Sequence, residues 1–309
     1  MEKSRVLVIG ATGRLGHYLT RFSIQSGHPT FALIRNSAFP DDPSKSVKLE
    51  SLSSAGVTLL KGSLEDGESL EEAVMKVDVV ISAIPSKHVL DQKLLINVIK
   101  RSPSIKRFIP AEYGADPDKT QVSDLDHGFY SKKSEIRRLI ESSGIQHTYI
   151  CCGLFMRILL PSLVQPGLQS PPMDKVTVFG DGNVKAVFVN EVDAAAFTIK
   201  TIDDPRTLNK TLYLRPPGNV CSMNDLVELW EGKIEKKLEK TFVTESQLLE
   251  KIKETPYPDD MEMVFIYSVF IRGHHTYFDI DESCGGVNGT ELYPDVKYIT
   301  VSEFLDTLL

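Results

Sequence analysis

Cysteine is scarce in this chain, and long apolar runs are absent. The four cysteines, Cys151, Cys152, Cys221 and Cys284, include no C-x-x-C pair. That excludes a disulfide scaffold or a cysteine metal site and predicts buried, reduced thiols. No stretch of about 18 apolar residues occurs, so no membrane span is expected. Positive charge is in deficit. Against 42 acidic residues stand 35 Lys and Arg, a net charge of -7, which argues against a nucleic-acid surface. Met1-Glu2-Lys3-Ser4 leads directly into a strand-like run, leaving no room for a signal peptide. The expectation is therefore a cytoplasmic protein, and the sequons at Asn209 and Asn288 are expected to be idle.

What remains is an ordinary globular composition, 41% hydrophobic over 309 residues, enough to build a core without staples. The first half alternates short apolar runs with helix-like segments. Strands are predicted over 5–9, 30–34, 58–60, 78–83, 106–110 and 147–151, and helices over 15–25, 68–74, 94–101 and 132–143, the last ending near Gly144. Strands separated by helices imply a parallel sheet with right-handed crossovers, a doubly wound α/β fold. The second half is less regular. A Pro-, Gly- and Ser-rich loop spans 161–175, strands are expected over 176–179 and 211–215, and helices over 224–233, 245–254 and 300–308. We divide the chain into a nucleotide-binding domain, 1–155, and a smaller α/β substrate lobe, 156–309, from which some segments return to the first.

The strongest local signal is Gly10-Ala11-Thr12-Gly13-Arg14-Leu15-Gly16, which follows a strand and opens a helix. In that context a G-x-x-G-x-x-G reads as a Rossmann-type dinucleotide site. Gly10 permits a tight turn, Gly13 lets backbone N–H groups approach a pyrophosphate, and Gly16 lets helix and strand pack closely. The helix N-terminus favours the phosphates. We count Thr12, Arg14 and Leu15 with the glycines as cofactor-binding residues. An acid at the end of the second strand would hold the ribose hydroxyl of NAD. Here the strand ends Leu33-Ile34-Arg35-Asn36, and Arg35 can fork onto the 2′-phosphate of NADPH. Lys45, in what reads as a polar loop, adds a second charge.

These motifs, together with Ser26-Gly27-His28-Pro29-Thr30, Lys106-Arg107-Phe108, Gly180-Asp181-Gly182-Asn183, the run 203–210 and the run 291–298, resemble the plant isoflavone reductase-like group of atypical, NmrA-like short-chain dehydrogenases. That group includes phenylcoumaran benzylic ether, pinoresinol–lariciresinol and leucoanthocyanidin reductases, isoflavone reductases and eugenol synthases. The resemblance implies NADPH as cofactor, a plant phenolic as substrate and a homodimer as one assembly. It also implies a catalytic lysine four residues before an Arg-Arg pair. Arg137-Arg138 then designates Lys133. By the same resemblance Gly10, Gly13 and Gly16 serve the pyrophosphate, Arg35 and Lys45 the 2′-phosphate, and Phe155 stacks near the nicotinamide.

Helical spacing alone leaves Lys132 and Lys133 equivalent. Both border an apolar stripe of Phe129, Ile136, Leu139 and Ile140. The Tyr-x-x-x-Lys pair of ordinary short-chain dehydrogenases is absent, since Ser134 stands four residues after Tyr130. Lysine must then manage the proton alone. It could deprotonate a phenol so that a quinone methide forms and accepts hydride, or polarise a carbonyl. Several positions depart from the family pattern: Ala111 and Tyr113, the stretch 84–88, Gly153 where Asn is usual, and Tyr267 where His is usual. Gly153, Met156 and Tyr267 are the candidate substrate-pocket residues, with Ile158 and Leu159 as a possible apolar wall or ordinary core. Tyr267 is expected to shape the pocket and donate one hydrogen bond. His274-His275 is expected to be a solvated pair, with no metal. Three activities follow: reduction of a benzylic ether or lignan, reduction of an isoflavone-type enone or phenylpropene formation, and non-catalytic NADP(H) sensing of the NmrA type.

Overall fold

Val6–Ile9 is apolar at every position and buried at every position, which requires cover on both faces of the strand. This strand, β1, leads through α1 (Arg14–Gln25), β2 (Thr30–Ile34), α2 (Pro43–Ser54), β3 (Thr58–Lys61), α3 (Gly67–Val74), β4 (Val79–Ser82), α4 (Gln92–Lys100), β5 (Arg107–Ile109) and α5 (Phe129–Ser142) to β6 (Thr148–Cys151). The computed structural model describes residues 2–35 and 43–309; the side chains of residues 43–45, Ser123 and Glu282 lie outside the description. The strand order β3-β2-β1-β4-β5 is parallel throughout. It is the doubly wound α/β arrangement, with its switch point between β1 and β4.

The second half adds β7 (Leu154–Phe155), α6 (Met156–Leu159), β8 (Lys175–Phe179), β9 (Lys185–Val189), α7 (Glu191–Thr201), β10 (Lys210–Tyr213), β11 (Val220–Ser222), α8 (Met223–Ile234), β12 (Glu239–Val243), α9 (Glu245–Glu254), α10 (Met261–Ile266), β13 (Gly286–Asn288), α11 (Gly289–Leu292) and α12 (Val301–Asp306). β6, β10 and β13 pair in parallel. A parallel bridge between Phe108 and His147 joins them to β5 and extends the layer. β9 pairs with β7 and β11, and β8 with β12. Two apolar clusters cover the faces of the central sheet. A third, around Trp230, Phe188 and Phe270, forms the core of the remainder.

Two elements differ from the sequence reading. Residues 43–54 are helix α2 rather than a polar loop. Only Leu49 and Leu52 of this helix are recorded as buried apolar residues, and Val47 is exposed, so its apolar stripe is too thin to show a period. Helix α7 was passed over for the opposite reason. Ala194, Ala195, Phe197 and Ile199 are all buried, and a helix apolar on most sides loses its periodic contrast. It packs closely on α1.

Arg107 ties the halves together. Its buried guanidinium donates from Nη1 to the Thr201 carbonyl and to Thr207 Oγ1 (2.7 Å), and from Nη2 to the Asp204 carbonyl (2.9 Å). This accounts for the motifs around 107 and 203–210 together. Replacing Arg107 by Met leaves those acceptors unpaired, and each charged hydrogen bond contributes about 1.5–3 kcal/mol. We expect a loss of about 3 kcal/mol or more in denaturant unfolding; a variant as stable as the parent would refute this tie.

Candidate active site

The carboxyl end of β1 turns sharply into α1. Gly10 has φ of +87°, and a Cβ there would stand 2.7 Å from the Ala83 carbonyl oxygen. A Cβ on Gly16 would collide with the Gly10 carbonyl. Gly13 donates its N–H to that same carbonyl at 2.9 Å and is the exposed N-cap of α1, without a capping side chain. Several other helices are closed at this end by side chains, although α4, α5, α6 and α10 are not. Asp66 caps α3, Asn190 caps α7, and Ser222 and Thr244 form capping boxes on α8 and α9. In α1 the first-turn N–H groups of Arg14, Leu15 and Gly16 have no helical partner. The turn is thus a cradle that a Cβ would fill, lined with donors and positive potential, and it fits a dinucleotide pyrophosphate.

Arg35 is exposed at the end of β2. Lys45 belongs to α2, but its side chain lies outside the described residues. Lys48, one turn further along α2, donates from Nζ to the Thr12 carbonyl at 3.2 Å. It brings an ammonium to the glycine turn. Sequence reasoning missed it because it took this segment for a loop; the spacing of three from Lys45 was the available signal.

α5 separates the two lysines that periodicity could not. Lys132 is exposed and donates to the His127 carbonyl at 3.2 Å. Lys133 is 2% exposed. Its Nζ donates to the Glu112 carbonyl at 2.7 Å and lies 4.5 Å from the centre of the Phe129 ring. Burial holds the Lys133 ammonium below its ordinary value, opposed by Glu112 and the two cysteines of β6 and its end. Phe155, half-buried, packs into the apolar cluster that Leu15, Ala83 and Tyr113 also join. The glycine turn, the loop after β5 and the turn after β6 therefore meet at one edge of the sheet.

The remaining candidates are placed by their packing. Gly153 has φ of +61°, and a Cβ there would strike the Val187 carbonyl, so it admits the approach of β9. Met156 and Leu159 are fully buried in the third core cluster, with Ile158 packed against it. Tyr267 is buried and donates its hydroxyl to Glu245 Oε1, a carboxylate of α9, at 3.2 Å. The histidine pair is not solvated. His275 Nδ1 accepts from the Val187 N–H at 3.2 Å, and burial pushes this imidazole down to about 3. His274 Nδ1 meets Ser268 Oγ at 3.0 Å. The flanking Phe270 and Phe278 carry these residues inward, a feature hidden by the local polarity. Among the described residues no group of three acidic, His or Cys side chains could hold a metal, and no helix is long and apolar enough to cross a membrane.

Residues 2–305 match the NmrA-like family model. The chain belongs to the NmrA-like family. Within it, the probable pinoresinol-lariciresinol reductase 3 of Arabidopsis thaliana is 85% identical over 100% of this chain and 98% of that protein. A phenylcoumaran benzylic ether reductase of Ginkgo biloba is 51% identical over 99% of each. The crystal structure of isoflavone reductase superposes with a TM-score of 0.95 at 37% identity, covering 100% of both chains. AtPrR2 with NADP+ and (+)pinoresinol gives a TM-score of 0.93 at 37% identity, also over 100% of both.

The collision at position 16 generates a test. Gly16→Ala should weaken NADPH binding by tenfold or more, about 1.4 kcal/mol, in calorimetric titration. Gly27→Ala is the control, since it strains a left-handed backbone (φ of +81°) at the other end of α1, with open space around its Cβ. Equal losses in both variants would show that backbone strain, not the cradle, governs binding.

Proposed function

We propose that this chain is an NADPH-dependent reductase of a plant phenolic, cleaving a benzylic ether of the lignan or phenylcoumaran type. The observation that carries the reading is a lysine buried at the same carboxyl edge of the sheet as a dinucleotide cradle, with its ammonium disfavoured by burial. Whole-length likeness to a probable pinoresinol-lariciresinol reductase and a phenylcoumaran benzylic ether reductase supports the substrate class. The cofactor is assigned from the absence of an acid after β2, the exposed Arg35, and relatives solved with NADP+ or NADPH.

In this reading Gly10, Thr12, Gly13, Arg14, Leu15 and Gly16 hold the pyrophosphate. Arg35, with Lys45 and Lys48 from α2, supplies positive charge, and Phe155 offers a ring face for the nicotinamide. NADPH, when bound, supplies hydride. Lys133, as the neutral amine, takes the proton of a phenol para to the benzylic carbon. The phenolate electrons expel the ether oxygen and leave a quinone methide. The Lys133 ammonium returns its proton to that oxygen, the benzylic carbon accepts hydride, and the phenolate so regenerated takes a proton from solvent, so that one C–O bond has been exchanged for a C–H and an O–H. Three buried thiols and one half-buried thiol, all unpaired, accord with a reducing cytosol.

Incubation with NADPH and pinoresinol, lariciresinol, a phenylcoumaran or an isoflavone tests the assignment. Turnover of one of the ethers is expected. Turnover of the isoflavone alone would replace this reading with enone reduction, and NADPH binding without any turnover would favour a sensor.

Lys133→Ala should lower turnover by about 10²–10⁴ with little change in NADPH affinity, whereas Lys132→Ala should resemble the parent. Because the active form is the neutral amine and burial lowers its pKa, activity should rise with pH through a midpoint below 10.5. A profile flat on the acid side would count against a lysine base. Arg35→Ala should reduce the preference for NADPH over NADH by about ten- to a hundredfold; equal affinity of the parent for both cofactors would remove the 2′-phosphate role.

A further inference from the structure

Arg137 lies one helical turn beyond Lys133, so the two side chains leave the same face of α5. Both are buried. They grip two parts of one residue. Lys133 Nζ donates to the backbone carbonyl of Glu112 at 2.7 Å. Arg137 forks the carboxylate of the same residue, Nε to Oε1 at 2.7 Å and Nη2 to Oε2 at 2.5 Å. From Nη1 it reaches further along the same loop, to Asp116 Oδ1 at 2.7 Å and Asp118 Oδ2 at 3.0 Å. The other oxygen of Asp116 accepts from the Tyr213 hydroxyl on β10. The loop after β5 is thus fastened to α5 by Arg137, with Arg138 also reaching Asp118 at 2.8 Å, and to the sheet by one phenol.

We propose that Arg137 and Glu112 are positioning residues for Lys133: their fork fixes the carbonyl that aims the Lys133 amine and sets the charge the amine faces. The proposal rests on the reading of Lys133 as the residue that handles the proton.

The surroundings of the amine narrow the charged groups to this pair. From its own helix Lys133 faces Arg137 and the neutral ring of Phe129; from the loop after β5 it faces Glu112, with Asp116 and Asp118 on the far side of Arg137. From β6 and its end it faces Cys151 and Cys152. Burial pushes the Cys152 thiol up to about 12 and the Cys151 thiol well above its ordinary value, so both are neutral near pH 7. Both oxygens of Glu112 accept from guanidinium N–H groups, which favours the carboxylate, while burial pulls the other way and raises its pKa. Glu112 favours the charged amine and Arg137 disfavours it. A fork that neutralises Glu112 therefore allows burial to dominate.

Opposite shifts follow, which a purely structural ion pair would not produce. The Lys133 midpoint is read directly by NMR of isotope-labelled lysine, assigned with Lys133→Arg. Glu112→Gln, nearly isosteric, should lower that midpoint by about one pH unit, and Arg137→Met should raise it by a similar amount. The acid limb of kcat/KM should move with it in each case, with NADPH affinity unchanged. Should Arg137→Met fail to fold, with the buried Glu112 carboxylate left without its fork, the double variant Glu112→Gln with Arg137→Met replaces it; its midpoint should lie above that of Glu112→Gln alone. An unmoved midpoint in folded Glu112→Gln, or shifts of one sign in both single variants, overturns the clamp. The two readings fail separately. Full turnover in Lys133→Ala would remove the lysine base while leaving the midpoint shifts intact. Unmoved midpoints beside an inactive Lys133→Ala would remove the clamp and leave the base.

Discussion

A parallel strand that is apolar on both faces has to be covered on both faces, and most of this architecture follows from that constraint. β1 and β4 are buried at every position. Cover on both sides demands crossover helices, and crossovers bring the carboxyl ends of all the strands to one edge. The glycine turn after β1, the loop after β5 and the turn after β6 are thereby neighbours, though about 140 residues separate the first from the last. The site is a consequence of strand order. Its parts are connections, which are free to vary while the buried strands hold their positions.

At that edge the protein places a lysine where water cannot reach it. An unpaired ammonium in such a place would be costly. Here the cost is reduced by one strong acceptor, the Glu112 carbonyl, and by an aromatic face. Neither cancels the penalty of burial, and the residual imbalance is what disposes the amine to release its proton. Arg137 answers the same problem differently. It is always charged, and it is surrounded by Glu112, Asp116 and Asp118. One helix turn thus carries two buried cations with opposite tendencies. One is locked into its charge, and burial biases the other toward losing it.

What was legible in the sequence tracks periodic contrast and motif context. The first-half strands and their helices showed because each alternates cleanly with its neighbours, and the glycine turn showed because a strand precedes it and a helix follows. Lys133 was legible only through resemblance, since spacing leaves Lys132 equally placed; the three-dimensional difference is a carbonyl from residue 112, 21 positions away. Helix α2 hid behind a thin stripe and α7 behind a thick one. The histidines misled because polarity is not exposure. His275 enters the interior by accepting a single backbone N–H from β9, a partner that no local pattern near residue 275 announces.

The departures from the family pattern share a physical character. Tyr113 is half-buried near Thr198 and Cys152, Gly153 admits the backbone of β9, and Tyr267 reaches Glu245; His275, outside that set, holds Val187. Gly153 and His275 both act on the same residue of β9: the Val187 carbonyl closes on one, and its N–H donates to the other. Gly153 and His275 therefore set where β9 lies relative to the turn that carries Phe155, which pairs with Val189 two residues along the same strand. A substitution at either position would shift the strand that borders Phe155. The glycine turn and Lys133 would keep their places, because neither is built on that strand.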